Sequence, residues 1–172
     1  QHIGRFEPEF EIETEQDRLL EHDVIVFQFP LFWYSTPSLL KDWIDLVLEH
    51  GFAYGEGGEA LKGKALLCAI TTSSPEDAYS SEGFQHYPLR TFLTPLEQTA
   101  RLCQMRFLPP YVLYEALKAA EDERLQVHED GYKRLLIGLR EGHYDYERAR
   151  EVHILQAGTL DAVLNDGETG HG

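Results

Sequence analysis

Basic residues are scarce in this chain: 15 lysines and arginines stand against 30 aspartates and glutamates among 172 residues, a formal net charge of −15. Such an excess repels phosphate polyanions, and no local basic patch offsets it, so nucleic acid is set aside as a partner. Long apolar runs are missing too. None approaches the ~20 residues needed to cross a bilayer, and no charged stretch leads into an apolar one at the start, as a secretory signal requires. The expectation is a cytoplasmic protein. Cysteine is limited to Cys68, inside an apolar run, and Cys103, beside one. Neither has metal-ligand spacing, so both are expected to be buried free thiols. His22, His50, His128, His143 and His153 lack a two-histidine helical spacing with a nearby ligand, which leaves a zinc centre without support. Methionine occurs once, at Met105, and the chain opens at Gln1, which is read as not the native start.

What is present is enough apolar sequence, 42% of residues, for one sizeable core and hardly for two. The FEPEF segment, Phe6 to Phe10, reads as irregular, and Thr14 is placed to cap a helix over Glu15 to Glu21. Asp23 to Phe29 is an unbroken β-branched and aromatic run without polar alternation, the pattern of a strand buried on both faces of a parallel sheet. Pro30 ends it. Thr36-Pro37 opens a helix whose apolar residues, Leu39, Leu40, Trp43, Ile44, Val47 and Leu48, recur with the 3.6-residue period. A glycine-rich connection from His50 leads to a second buried strand, Lys64 to Thr72. Pro88 to Leu102 has helical spacing, and Met105 to Tyr114 reads as a third strand with a proline break. Glu121 to Arg140 is a helix with Gly131 and Gly138 as weak points. The pattern predicts an α/β domain over 1–144 and a charged, frayed tail over 145–172. A three-stranded parallel sheet would leave its first strand with a bare apolar edge, so further strands are expected upstream.

In an open α/β sheet, ligands bind beyond the carboxyl ends of the strands. After the first strand, Pro30, Leu31, Phe32, Trp33 and Tyr34 place large apolar rings in a loop. They pack into the core, meet another subunit, or cover a flat aromatic ligand. After the second strand, Thr71 to His86 is dense in hydroxyls that could address the polar edge of a ring system. Tyr79 and His86 lie in this stretch, and a phenol with an imidazole can stabilise and protonate an anion developing on a bound ring. Gly55 to Gly58 looks like a phosphate cradle, but Glu56 and Glu59 favour a turn.

The segments QFPLFWYSTPSLLKDWIDLVLEHGFAYGEGGEALKGK, Gln28 to Lys64, and TTSSPEDAY, Thr71 to Tyr79, resemble the NAD(P)H:quinone oxidoreductases of flavodoxin-like fold. Among these the chain is most similar to the bacterial ancillary quinone reductases of glutathione-gated potassium efflux systems. The resemblance runs from about Phe6 to about Arg140. It implies a three-layer α/β/α fold with a parallel sheet, FMN or FAD as cofactor, NAD(P)H as co-substrate and a quinone as acceptor. It also implies a homodimer, and a potassium efflux membrane protein as a partner that would bring the chain to the inner membrane as a peripheral subunit. Pro30, Leu31, Phe32, Trp33 and Tyr34 then match the segment along the isoalloxazine, and Thr71, Ser73 and Ser74 the loop at its pyrimidine edge. Tyr79 and His86 match the pair thought to stabilise the reduced flavin, with Gln85 in the histidine's place if the alignment shifts by one. Phe52 and Tyr54 match a segment reaching into the partner subunit's site.

The chain departs from the family in two ways. The family's first strand and its Ser/His/Asn-type phosphate loop are not in this sequence. Ser73, Ser74 and Pro75 replace flexible glycines. The alternative function is a regulatory subunit that keeps the fold and docks on the efflux protein without turnover.

Overall fold

The computed structural model describes residues 10–165. The expected irregularity of Phe6 to Glu9 and fraying of residues 166–172 lie outside that range. The sheet forms around β2, Ala65–Thr71, with β1, Val24–Pro30, parallel to it in register from Val24↔Ala65 to Pro30↔Thr71. The expected third strand is two: β3, Arg106–Phe107, and β4, Tyr111–Leu113, both parallel to β2 on its other edge. The break falls at Pro109-Pro110, where neither residue has an N–H to give to a ladder. Among the described residues β1 pairs only with β2, so its outer edge is open.

Helices cover both faces. Helix α1, Ile12–Glu21, begins ahead of Thr14, with Glu11 at its N-cap and Glu13 and Glu15 in the first turn, where carboxylates favour the positive end of the helix dipole. Helix α2 spans Ser38–Val47, and Pro37 rather than Thr36 is its cap residue. The helix expected from Pro88 divides into a 3₁₀ turn, Leu89–Leu93, and α3, Thr94–Leu102. Pro95 cannot make an interior helical bond and so sits in the first turn of a new helix. After the short α4, Ala116–Ala119, helix α5 runs Arg124–Glu141 and closes on Gly142 at φ +76°. Its start is later than expected because the Asp122 carboxylate accepts the Arg124 N–H at 2.9 Å.

Side chains of β2 alternate between two apolar layers. Leu66, Cys68 and Ile70 pack with α1, α2 and α3, while Ala65 and Leu67 pack with α5 and the C-terminal segment. This is the three-layer α/β/α arrangement of a flavodoxin-like fold. Both cysteines are buried free thiols, and burial pushes the Cys68 thiol up to about 12.

The frayed tail expected from Asp145 is corrected as far as Asn165. Leu155, Leu160, Val163 and Leu164 are buried, and the segment bonds to the sheet edge through Leu155 N–H to Pro110 O, 2.8 Å, and Val112 N–H to Leu155 O, 2.9 Å. With Ala149 these four residues join the apolar layer that covers α5, and the two helix glycines are points of closest approach to it. A Cβ on Gly138 would lie 2.5 Å from Leu164 Cδ2, and one on Gly131 would lie 2.4 Å from Tyr111 Oη and 2.7 Å from Ala157 Cβ. The weak points of the helix are its docking points.

Helix propensity alone would favour Gly131→Ala by ~1 kcal/mol, whereas overpacking costs ~1–3 kcal/mol. Gly131→Ala is therefore expected to lower the urea midpoint. Gly158→Ala, which meets open space, should leave it within the ~0.5 kcal/mol of an ordinary surface change. Equal midpoints for the two variants would contradict this packing.

Candidate functional site

The carboxyl ends of three strands are tied at one level. Leu31 N–H donates to Thr71 O and Thr72 N–H to Leu113 O, each at 2.9 Å, so the loops after β1, β2 and β4 emerge side by side. Beyond β1, Pro30 is exposed and Leu31 half-buried. Phe32 and Ser35 exchange both backbone hydrogen bonds, at 3.0 and 2.9 Å, around Trp33 at φ +46° and Tyr34 at φ +63°. A two-residue turn with both central residues left-handed is a type I′ turn, whose preferred sequence is Asn-Gly. Ordinary residues held there cost on the order of 1–3 kcal/mol each. The turn sends Trp33 into solvent at 93% exposure and leaves Phe32 at 58%. Tyr34 rests on the Phe92 ring, centroids 5.0 Å apart and planes 34° apart. Of the readings open for this loop, burial of Trp33 in its own core is overturned.

The loop after β2 is held by a residue that sequence reasoning passed over, Thr72, the one buried polar side chain among the described residues. Its hydroxyl donates to Ser74 O at 2.9 Å and its carbonyl accepts Ala116 N–H at 2.9 Å. Ser74 O also accepts Glu115 N–H at 3.2 Å, and Ser74 Oγ accepts a hydrogen bond from Gln85 Nε2 at 2.8 Å. The N–H groups of Ser73 and Ser74 have no acceptor among the described residues. Thr71 is half-buried at the strand end and Ser73 exposed. The outcome is a fixed loop with two free amide donors and two serine hydroxyls.

Phe92 joins the loops. Besides Tyr34, its ring meets Tyr79 edge-on at 6.3 Å and Tyr87 at 6.1 Å, and Tyr79 in turn packs 5.9 Å from Tyr114. Burial, with Glu76 and Tyr79 nearby, pushes the Tyr114 phenol well above its ordinary range, so it stays protonated. The only sequence signal for Phe92 was its place in a helical apolar period. Tyr79 and His86 stand at the two ends of a loop closed by Gln85 N–H to Ala78 O at 2.9 Å. His86 is exposed and left-handed at φ +61°.

Phe52 and Tyr54 go elsewhere. They pack on the α1–α2 side of the core, Tyr54 edge-on to His50 at 5.6 Å, and within one chain they are not brought to the Phe92 cluster. The glycine-rich connection around them is a turn: Gly55 and Gly57 have φ near +80°, and the Lys62 ammonium holds the Glu59 carboxyl below its usual range. An anion is already seated there.

Trp33 makes no packing contact that its replacement would lose, so the turn isolates the cost of strain. Trp33→Asn, which suits the left-handed region better, is expected to raise stability by ~0.5–1 kcal/mol. Thermal unfolding reads this as a Tm rise of ~1–4 °C. A fall in Tm would contradict the turn geometry.

Comparison with known proteins agrees with this architecture. A model of the flavodoxin-like fold matches residues 2–136. The glutathione-regulated potassium-efflux system ancillary protein KefG of Cronobacter sakazakii is 48% identical over 131 residues, 75% of this chain and 71% of that protein. An NADPH-quinone reductase from P. pentosaceus superposes with a TM-score of 0.62 at 33% identity, over 74% of this chain and 71% of that one. General stress protein 14 of Treponema denticola, solved in complex with FMN, superposes with a TM-score of 0.60 at 36% identity, over 61% of this chain and 60% of that one. With its parallel sheet, its strand-end loops and these likenesses taken together, the chain belongs to the family of flavodoxin-like fold.

Proposed function

We propose that the chain is a flavin-dependent NAD(P)H:quinone oxidoreductase acting as an ancillary subunit of a glutathione-regulated potassium-efflux system. The observation that carries the reading is the strained turn that holds Trp33 in solvent beside a loop with unused donors. An exposed indole paid for with backbone strain calls for a flat partner, and free amides at a strand end call for an acceptor edge. An isoalloxazine, from FMN or FAD, has both a flat face and a pyrimidine edge of carbonyl and ring-nitrogen acceptors. When bound, it takes a hydride from NAD(P)H and passes two electrons to a quinone.

The chain's own residues divide the work. Pro30, Leu31, Phe32, Trp33 and Tyr34 cover the ring and exclude water from its face. Thr71, Ser73 and Ser74 orient its polar edge by donating to it. Tyr79 Oη and the His86 imidazole hold protons where negative charge develops on reduction. In a homodimer, Phe52 and Tyr54 of each protomer, half-buried against the α1–α2 side of the core, would turn their remaining exposed surface to the other protomer's site.

A second reading, a regulatory subunit without turnover, is supported by the similarity to KefG and by the net charge of −15, which suits docking on a basic protein face. No helix among the described residues is long and apolar enough to cross a membrane, so attachment would run through the efflux protein. Flavin uptake separates the two. The purified full chain with added FMN should show absorbance near ~450 nm that NADPH bleaches without oxygen and a quinone restores. A chain that remains colourless with both FMN and FAD contradicts the enzyme and leaves the docking subunit.

A further inference from the structure

Resting on the flavin reading above, one contact in the β2 loop assigns a residue that the family resemblance treats only as a substitute for histidine. Gln85 is half-buried, and its carboxamide Nε2 lies 2.8 Å from Ser74 Oγ. A serine hydroxyl has one proton and two lone pairs. With one lone pair occupied by the Gln85 N–H, the hydroxyl proton turns away from Gln85. The Ser74 carbonyl cannot take it, since that oxygen already accepts from Thr72 Oγ1 and Glu115 N–H. The proton is thereby left for an acceptor outside these contacts, and the backbone N–H groups of Ser73 and Ser74 in the same loop are likewise without acceptors among the described residues. Gln85 is held in turn by its own N–H on Ala78 O at 2.9 Å.

We propose that Gln85 is a positioning residue: by donating to Ser74 it fixes that hydroxyl as a third donor beside the Ser73 and Ser74 amides, a set matched to an acceptor edge that gains negative charge. Three donors favour the electron-rich form of the ring over the oxidised form, so the contact sets the flavin's midpoint potential more than its affinity in the oxidised state. Reversing the bond should undo this. A carboxylate only accepts, so in Gln85→Glu the Ser74 hydroxyl donates to the new side chain and is withdrawn from the ring.

The test is a double-mutant cycle on the full chain loaded with FMN, read as midpoint potential, with Gln85→Glu, Ser74→Ala and the double variant. Each single change should weaken binding of reduced relative to oxidised FMN about tenfold, a fall of ~30 mV for the two-electron couple. The double variant should fall no further than either single one, because both remove the same donor. Gln85→Met, which takes away the Gln85 donor without adding charge, should shift the potential in the same direction by less. Thermal unfolding of each variant confirms that it is folded. Additive shifts mean that the carboxylate acts through space and not through Ser74, and they overturn the assignment while leaving the flavin reading intact. Unchanged potentials overturn it as well. A full chain that takes up no FMN overturns both.

Discussion

The site depends on the burial of β2 on both faces. Six of its seven residues are buried, Leu66, Cys68 and Ile70 toward one helical layer and Ala65, Leu67 and Ala69 away from it. Each buried leucine or isoleucine contributes ~1.5–3 kcal/mol relative to exposure. A slip of one residue would exchange the two sets, forcing large side chains into space shaped for alanine. The register of β2 is therefore pinned, and with it Thr71 and Thr72, which hold the ends of β1 and β4 through Leu31 N–H and Leu113 O. Loops that are far apart in sequence meet because one strand cannot move.

Against that fixed strand the protein can hold local conformations that would otherwise relax. Of the five left-handed residues that are not glycine among the described residues, Trp33, Tyr34, His86 and Glu115 lie in the segments that follow β1, β2 and β4, and only Gln104, between α3 and β3, lies elsewhere. The strained strand-end loops share Phe92 as the common neighbour of Tyr34, Tyr79 and Tyr87, and such strain persists only where the surrounding packing holds it. The same loops contain the free amides of Ser73 and Ser74 and the buried hydroxyl of Thr72. Apolar face and polar edge are thereby presented together.

Much of this was legible before any coordinates. The unbroken apolar run around Leu67 announced a strand buried on both sides, and the run around Val26 announced β1, though β1 is buried on one face only, with Phe27 and Phe29 inside and Gln28 and Pro30 exposed. The 3.6-residue spacing from Leu39 to Leu48 announced α2. The placing of chemistry at strand ends followed from topology alone. What escaped had local causes. The turn at Trp33-Tyr34 was hidden because nothing in its residues prefers positive φ. Phe92 was hidden because a core residue and a hub between loops share one period. The burial of residues 145–165 was missed because its charges cluster at Asp145 to Glu151, while the apolar residues beyond them, Leu155, Leu160, Val163 and Leu164, lie in short turns with no helical or strand period to announce a buried face. Gln85 and Thr72 each tie the β2 loop through one side-chain hydrogen bond, which leaves no pattern along a chain.

The central claim, that the turn after β1 holds Trp33 out to cover a flat redox ring, is tested most directly by tryptophan fluorescence. The chain has two tryptophans, and Trp43 lies on α2, edge-on to Phe27 and donating to Glu15. Trp43→Phe therefore leaves Trp33 as the sole reporter. Titration with FMN should quench that emission along the same binding curve that the flavin's own fluorescence follows. FMN that binds while Trp33 emission stays unchanged would contradict the account.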